Sequence, residues 1–557
     1  VAAATPILDI QGLTVRLPTG SDRSFAVEDI SLSVNPGEIV CVVGESGSGK
    51  SVTAFSIMGL LPPELAPTGR ILLQGTDLLT KTPAELRQMR GHRMAMVFQE
   101  PMTALNPVMR VGEQIGEVLE IHTHLNERAR RRRVLDVMTA VRLPDPEQMI
   151  DVYPHQLSGG QRQRIMIAAA LVLDPVLLVA DEPTTALDVT TQAQILKLIR
   201  ELQQRRNTGV LFITHDFGVV AEVANRVVVM QHGCVVEHGP ADPILRQPRA
   251  DYTRMLIRSV PSLHPPTRAP VTEARVALET RGLGKIYVMG GLLARRQIPA
   301  AREVNLTVRR GETVGVVGES GSGKSTVARC IARLIDPTEG AILIDGEDVA
   351  RLGTRALRPY RKRVQMIFQD PYRSLNPRRT VGDSMVEGPL NFGTSPLVAK
   401  ERARQLMGLI GLEHTALDRF PHQFSGGQRQ RICVARALAM QPEVLIADEA
   451  VSALDVSVQA QVLALIDDVQ RRFNLAVLFI THDLRVAAQI CDRIAVMHRG
   501  AVVEEGVTRQ VFGTPRHAYT RTLLEAAPGR NFVFGADEMY TGARPHRDLR
   551  PPIRPGG

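Results

Sequence analysis

No stretch of this sequence is long and apolar enough to cross a bilayer. The longest apolar run, around Ile165, is cut at Asp174 and Pro175, well short of the roughly 20 residues a spanning helix needs. Cysteine is sparse: Cys41, Cys234, Cys330, Cys433 and Cys491 include no Cys-x-x-Cys pair. That excludes a zinc knuckle, an iron–sulfur cluster and a disulfide framework, and leaves reduced structural side chains. Val1 to Pro6 has neither the basic region nor the apolar core of a secretory signal, so no export route is visible and a cytosolic address is expected. The excess of one charge sign that marks a disordered chain is also missing, because 44% of residues are apolar and 22% charged, as in a folded protein with buried cores.

What is present begins with length. At 557 residues the chain exceeds one ordinary core, and two large lobes are the simplest reading. The net charge of +9 favours polyanions such as nucleotides, nucleic acid or acidic headgroups, without choosing among them.

The organisation is a long-period repeat. GESGSGKS occurs at Gly44 to Ser51 and again at Gly318 to Ser325. Gln99 and Gln369, Ser158 and Ser425, Asp181 and Asp448, and His215 and His482 follow in the same order. The ends repeat too, with Tyr252-Thr253-Arg254 before Pro261 matching Tyr519-Thr520-Arg521 before Pro528. The chain therefore divides into a first copy with its C-terminal extension over residues 1–261, a short proline-rich linker over 262–275, a second copy with its extension over 276–530, and a basic Pro/Gly-rich tail over 531–557, expected to be disordered. The short apolar runs Ile39 to Val43, Val176 to Ala180, Val210 to Ile213, Thr313 to Val317, Val444 to Ala447 and Val477 to Ile480 read as buried parallel strands separated by helices, an α/β core.

Gly44-Glu45-Ser46-Gly47-Ser48-Gly49-Lys50-Ser51 fits the P-loop pattern, and Gly318-Glu319-Ser320-Gly321-Ser322-Gly323-Lys324-Ser325 repeats it. The glycines let backbone N–H groups approach phosphate oxygens, and the following helix offers its positive N-terminus. Lys50 and Lys324 would reach the β- and γ-phosphates, and Ser51 and Ser325 would place hydroxyls on Mg²⁺. Asp181-Glu182 and Asp448-Glu449 close apolar strands, where open α/β sheets bind ligands. The aspartates suit Mg²⁺ through water, and Glu182 and Glu449 suit orientation of an attacking water. Taken alone such acids are equally helix caps; their place behind a P-loop favours catalysis. Ser158-Gly159-Gly160-Gln161 and Ser425-Gly426-Gly427-Gln428 each precede a helical run. By themselves they are turns, but at a helix start they form a second anion site. One domain rarely needs two, which is resolved if each grips the nucleotide held by the other copy.

P-loop, Gln99, LSGGQ, Asp181-Glu182, Ala186-Leu187-Asp188 and His215, with Gln369, FSGGQ, Asp448-Glu449, Ala453-Leu454-Asp455 and His482 in the second copy, together resemble the ABC ATPase family in its full motif order. The resemblance covers nearly the whole chain except linker and tail. It implies two P-loop ABC nucleotide-binding domains in tandem, each a RecA-like α/β core with an antiparallel β subdomain and a helical subdomain at roughly residues 100–170 and 370–440. It also implies a head-to-tail sandwich with two composite ATP sites. One would combine Lys50, Ser51, Gln99, Asp181, Glu182 and His215 with Ser425, Gly427 and Gln428; the other Lys324, Ser325, Gln369, Asp448, Glu449 and His482 with Ser158, Gly160 and Gln161. Gln99 and Gln369 would sense Mg²⁺ and water, and the histidines would contact the γ-phosphate.

The family stacks an aromatic on adenine before the P-loop. Tyr287 can fill that role in the second copy, whereas Leu17 stands at the matching place in the first, so site one is expected to hold adenine less tightly. Asp448-Glu449-Ala450 replaces the Asp181-Glu182-Pro183 of the first copy. Both glutamates remain, and hydrolysis is expected at both sites.

Phe98-Gln99-Glu100-Pro101 to Leu105-Asn106-Pro107, its counterpart Phe368 to Pro377 and the Tyr-Thr-Arg extensions resemble the ATPases of peptide, nickel and opine importers. Fusion of two ATPases in one chain is similar to glutathione-type and related peptide importers. The resemblance implies two separate transmembrane permease subunits, an external solute-binding protein, a peripheral place on the cytoplasmic face of the inner membrane, no nucleic acid and no direct contact with the solute. The alternative is a tandem ABC translation factor on ribosomes, which carries a long charged helical linker; here the linker is short and proline-rich. The run Arg128 to Arg133 reads as the solvated face of a helix rather than a nucleic-acid patch.

Overall fold

The computed structural model describes residues 5–20, 22–184, 187–268, 271, 273–289, 296–452 and 454–535. Ala186, Ala453 and the tail arginines Arg544, Arg547, Arg550 and Arg554 lie outside the described residues.

Each half is built on a six-stranded sheet. In the first, the strand order is Cys234–Pro240, Arg226–Gln231, Ile39–Val43, Gly209–Ile213, Leu177–Asp181, Met94–Val97. All neighbours are parallel except the outermost Cys234–Pro240. Four of these strands, Ile39–Val43, Met94–Val97, Leu177–Asp181 and Gly209–Ile213, are buried at every residue. Covered faces explain why their sequences are continuous apolar runs rather than alternating ones. The second half repeats the order with Ala501–Val507, Arg493–His498, Thr313–Val317, Ala476–Ile480, Val444–Asp448 and Val364–Ile367.

Against each core sheet lies a four-stranded antiparallel sheet, Phe25–Val34, Leu8–Arg16, Pro67–Leu73 and Thr76–Asp77 in the first half. A helical subdomain follows, with Val111–His122, Glu127–Ala140 and Gly159–Leu171, repeated as Val381–Asn391, Pro396–Leu409 and Gly426–Ala439. The basic run sits on Glu127–Ala140 as an ion-paired surface: Arg130 meets Glu120 at 3.4 Å, Arg131 meets Asp151 at 3.4 Å and Arg133 meets Asp174 at 2.8 Å. Among the described residues no helix is long and apolar enough to cross a membrane, and Cys41, Cys330, Cys433 and Cys491 are buried thiols.

The described residues of the segments between and after the copies are docked on the two halves. Arg268 of the linker bonds Asp467 at 3.1 Å and the carbonyl of Gln489 at 2.9 Å on the second half, and Leu263 packs on that half's core. The tail, expected to be disordered from Asn531, is ordered through Gly535 and crosses to the first half. There Phe534 is 6% exposed within the first half's core, the Gly535 N–H donates to the Leu245 carbonyl at 3.2 Å, and the Arg246 guanidinium lies 4.4 Å from the Phe532 ring centre. Composition suggested a loose end, but two aromatics in a Gly/Arg-rich stretch provide apolar area that burial rewards.

Candidate nucleotide sites

Each P-loop turns directly out of a buried strand into a helix, Lys50–Met58 or Lys324–Ile331. Gly49 and Gly323 take φ 101° at the helix caps, a conformation glycine adopts without strain. A Cβ on Gly323 would also lie 2.1 Å from the Ala300 carbonyl oxygen. Lys50 is 7% exposed, and its Nζ donates to the Gly44 carbonyl at 2.7 Å, the Glu45 carbonyl at 2.9 Å and the Ser48 hydroxyl at 3.3 Å. Lys324 makes the same bonds to Gly318, Glu319 and Ser322. Burial pushes the Lys50 ammonium down from its ordinary value, against the fields of Asp455, Glu182 and Asp181.

Ser51 Oγ donates to Asp181 Oδ1 at 3.3 Å, and Ser325 Oγ to Asp448 Oδ1 at 2.9 Å. Burial raises both aspartates, with the adjacent glutamates adding to the effect. Two hard oxygen donors this close, beside an ammonium, suit Mg²⁺ bound through few protein ligands and several waters.

Glu182 and Glu449 have positive φ, 46° and 49°, which is uncommon for a residue with a side chain and concentrates at functional sites. Each N–H is tied to the neighbouring strand, Glu182 to Ile213 and Glu449 to Ile480, both at 2.9 Å. The carboxylates bring together the remaining residues of the motif set. Gln99 Nε2 donates to Glu182 Oε2 at 2.9 Å, and His215 Nδ1 stands 3.1 Å from Glu182 Oε1. Gln369 and His482 do the same for Glu449 at 2.7 and 3.4 Å. Burial works against the charged imidazoles, but the bond to Glu182 or Glu449 and nearby acids leaves both histidines raised. The two histidine loops meet at a cavity of about 130 Å³ between the halves, lined by His215, Asp216, His482 and Asp483 among others.

Ser158 and Ser425 cap the helices Gly159–Leu171 and Gly426–Ala439 with reciprocal bonds to Gln161 and Gln428. The second glycines have a packing reason of their own: a Cβ on Gly427 would lie 2.1 Å from Val458 Cγ1, and one on Gly160 2.7 Å from Thr191 Cγ2. Those contacts set the signature helices against Val456–Phe473 and Val189–Arg206, and the starts of these two helices touch the opposite half. Asp455 Oδ1 accepts from the Ser46 N–H at 2.9 Å and the Ser46 hydroxyl at 3.1 Å. Ser457 Oγ donates to Glu45 Oε1, and Thr190 Oγ1 donates to Glu319 Oε1 at 2.5 Å. Each signature helix thus packs against a helix whose first residues touch the loop of the other copy. Asp455 reaches across without capping its own helix, whereas Asp188 accepts from Thr191 N–H at 2.9 Å in its own. Sequence reading quoted both aspartates but gave them no role.

The chain belongs to the ABC transporter family. Residues 27–185 and 301–452 match that family, and residues 236–287 and 503–547 match the oligopeptide/dipeptide transporter C-terminal region. The glutathione import ATP-binding proteins GsiA of Escherichia coli K12 and Shigella sonnei are each 45% identical over 94% of this chain and 89% of their own length. The GsiA of Salmonella choleraesuis is also 45% identical, over the same shares. A solved dimeric cassette, MJ0796 in a post-hydrolysis state with ADP and Pi, is 32% identical over 42% of this chain and 99% of its own, with a TM-score of 0.38. This ABC protein is an ATPase with two tandem cassettes.

The strand register sets Leu17 at the position of Tyr287: the Leu17 N–H bonds the Ser24 carbonyl, and Tyr287 pairs with Ile298. Tyr287 is exposed, with Lys285 Nζ 5.4 Å from its ring centre. Leu17 instead is half-buried and packs against its sheet's core. The first half has an aromatic that sequence reading missed, Phe25, paired with Arg16 across the strands and 5.3 Å from its guanidinium. Its signal was an aromatic one residue before Ala26, whose carbonyl abuts Gly49.

Proposed function

We propose that this ABC ATPase is the motor subunit of an importer for peptides or peptide-like solutes, with two ATP sites each completed by the opposite half. The carrying observation is the chain of contacts from signature to opposite loop: Gly427 against Val458, then Ser457 on Glu45 and Asp455 on Ser46, mirrored by Gly160 against Thr191 and Thr190 on Glu319. In this reading Ser425, Gly426, Gly427 and Gln428 close the site of Lys50, and Ser158, Gly159, Gly160 and Gln161 that of Lys324. A γ-phosphate between loop and signature joins the halves by charge, and its loss parts them.

Glu182 and Glu449 orient and polarise the attacking water, held in place by Gln99 and Gln369 on one carboxylate oxygen and by the histidines on the other. Mg²⁺ would be held by Ser51 with Asp181 and by Ser325 with Asp448, where it would neutralise phosphate charge. Tyr287 offers adenine a ring in the second site, and Phe25 offers one in the first.

Two observations support import and its partners. The match of both extensions to an oligopeptide/dipeptide transporter region, with relatives named for glutathione import, favours peptide-like solutes. A groove of about 580 Å³ between core and helical subdomain, lined by Arg358, Phe368, Met385, Phe392 and Arg436 and adjoining Gln369, suits a cytoplasmic helix of a permease. Two permease subunits and an external solute-binding protein follow, with the ATPase on the cytoplasmic face and clear of the solute. Purification of the chain from mild detergent extracts tests this: co-purifying permeases are expected, and ribosomal proteins in their place would overturn it.

A further inference from the structure

The Tyr-Thr-Arg segment repeated at the end of each half takes no part in the chemistry above, yet it reaches both phosphate loops. Tyr252, on the helix Asp251–Ser259, is 9% exposed, and its hydroxyl accepts from the Glu45 backbone N–H at 3.1 Å. Tyr519, on Ala518–Glu525, accepts from the Glu319 N–H at 3.1 Å. Each hydroxyl also lies within the field of that same glutamate's carboxylate. Burial, joined by the fields of neighbouring acids, pushes both phenols up to about 12, so they stay protonated and able to donate at physiological pH.

The glutamates themselves need a reason. A carboxylate in a loop built for a triphosphate repels its ligand unless it is neutralised or directed elsewhere. Here Glu45 Oε1 accepts from Ser457 of the second half, and Glu319 Oε1 accepts from Thr190 of the first. Each glutamate is therefore held at its backbone N–H by a hydroxyl from its own extension and at its carboxylate by a hydroxyl from the twin. The arrangement occurs twice, at equivalent positions of the two copies.

We propose that Tyr252 and Tyr519 are positioning residues that fix the backbone of Glu45 and Glu319 so that their carboxylates face the opposite half, and that the C-terminal extension thereby sets both the shape of each phosphate loop and its bond to its twin. Only the leg to Ser457 and Thr190 rests on the shared-site reading; the tyrosine–glutamate leg lies within one half. Without the hydroxyl, the carboxylate is free to turn toward the phosphates, and ATP is met by an undirected negative charge. The rings remain packed in Tyr→Phe variants, so the fold is kept.

The experiment is a double-mutant cycle on the full chain, reading KM and kcat for ATP, with thermal midpoints as a control for folding. Y252F/Y519F is expected to raise KM about 3- to 10-fold, the loss of roughly one hydrogen bond per site, with kcat at saturation within about twofold and nucleotide-free melting unchanged. In an E45Q/E319Q background, which removes the repelling charge, the same tyrosine changes are expected to move KM by less than about twofold. An equal factor in both backgrounds, or an unchanged KM, would overturn the proposal. S457A/T190A is expected to couple to Y252F/Y519F as well. If it does not, while the tyrosine–glutamate coupling persists, the tyrosine assignment stands and the sharing of sites is what fails.

Discussion

The carboxylate of Asp455 in the second half accepts two hydrogen bonds from Ser46 in the phosphate loop of the first, from its N–H at 2.9 Å and its hydroxyl at 3.1 Å. Through it the fold of one half reaches the nucleotide site of the other. Its field also bears on Lys50 and His215, so a residue of one half contributes to the electrostatics around the other half's phosphate loop.

Glu182→Gln and Glu449→Gln keep the shape of the carboxylate and its bond to Gln99 or Gln369 but cannot polarise water. ATP binding is expected to persist while turnover of the double variant falls by at least about 100-fold, the usual contribution of a positioned base. Steady-state phosphate release beside equilibrium nucleotide binding checks it, and normal turnover would refute the assignment.

His215 and His482 are raised in the folded chain above the ordinary 6.5. A raised folded pKa makes a stabilising contribution that is complete below about 6.5 and lost as pH rises through the folded value. Thermal midpoints are therefore expected to fall between neutral and mildly alkaline pH, and H215A/H482A is expected to flatten that slope. An identical slope in the variant would contradict the pairing with Glu182 and Glu449.

Gln163 and Gln430 are equivalent and buried, each 1% exposed, but only Gln163 has a partner, donating to the Pro183 carbonyl at 2.6 Å. Gln430 Nε2 and Oε1 have none, in the half that carries Ala450 after its glutamate. Gln163→Leu is expected to cost about 1–3 kcal/mol, whereas Gln430→Leu is expected to be neutral or stabilising, because an unpaired buried amide is already a cost. Calorimetric unfolding of the two variants distinguishes them.

Gly427→Ala places a methyl where Val458 Cγ1 stands, forcing the signature helix off its neighbour. Hydrolysis is expected to fall by about tenfold or more, consistent with misplacement of a remote positioning group, and Val458→Ala in addition is expected to recover much of it. Gly408, inside the helix Pro396–Leu409 and with nothing within 4 Å of an added Cβ, serves as the control for helix propensity. Failure of the second change to rescue would show that steric packing is not the reason for the glycine.

Much of this was legible in the sequence, and the reason is local. Ile39–Val43 and Thr313–Val317 are found with the bounds read from their apolar runs, because full burial and a glycine turn leave no ambiguity. Asp181 and Asp448 extend their strands by one residue beyond the apolar reading, since ladder pairing continues past the last hydrophobe. What sequence could not carry is distance across the chain. Tyr252 meets Glu45, and Asp455 meets Ser46, only after folding, and no local pattern records either pairing. The ordering of Phe532 and Phe534 was hidden by the composition around them.

The most direct test is a structure of the full chain carrying Glu182→Gln and Glu449→Gln, trapped with ATP and Mg²⁺. The expected result is Ser425 Oγ within about 2.7–3.2 Å of a γ-phosphate oxygen held by Lys50, with Ser158 doing the same for Lys324. A nucleotide enclosed by one half alone, with both serines turned to solvent, would contradict the central claim.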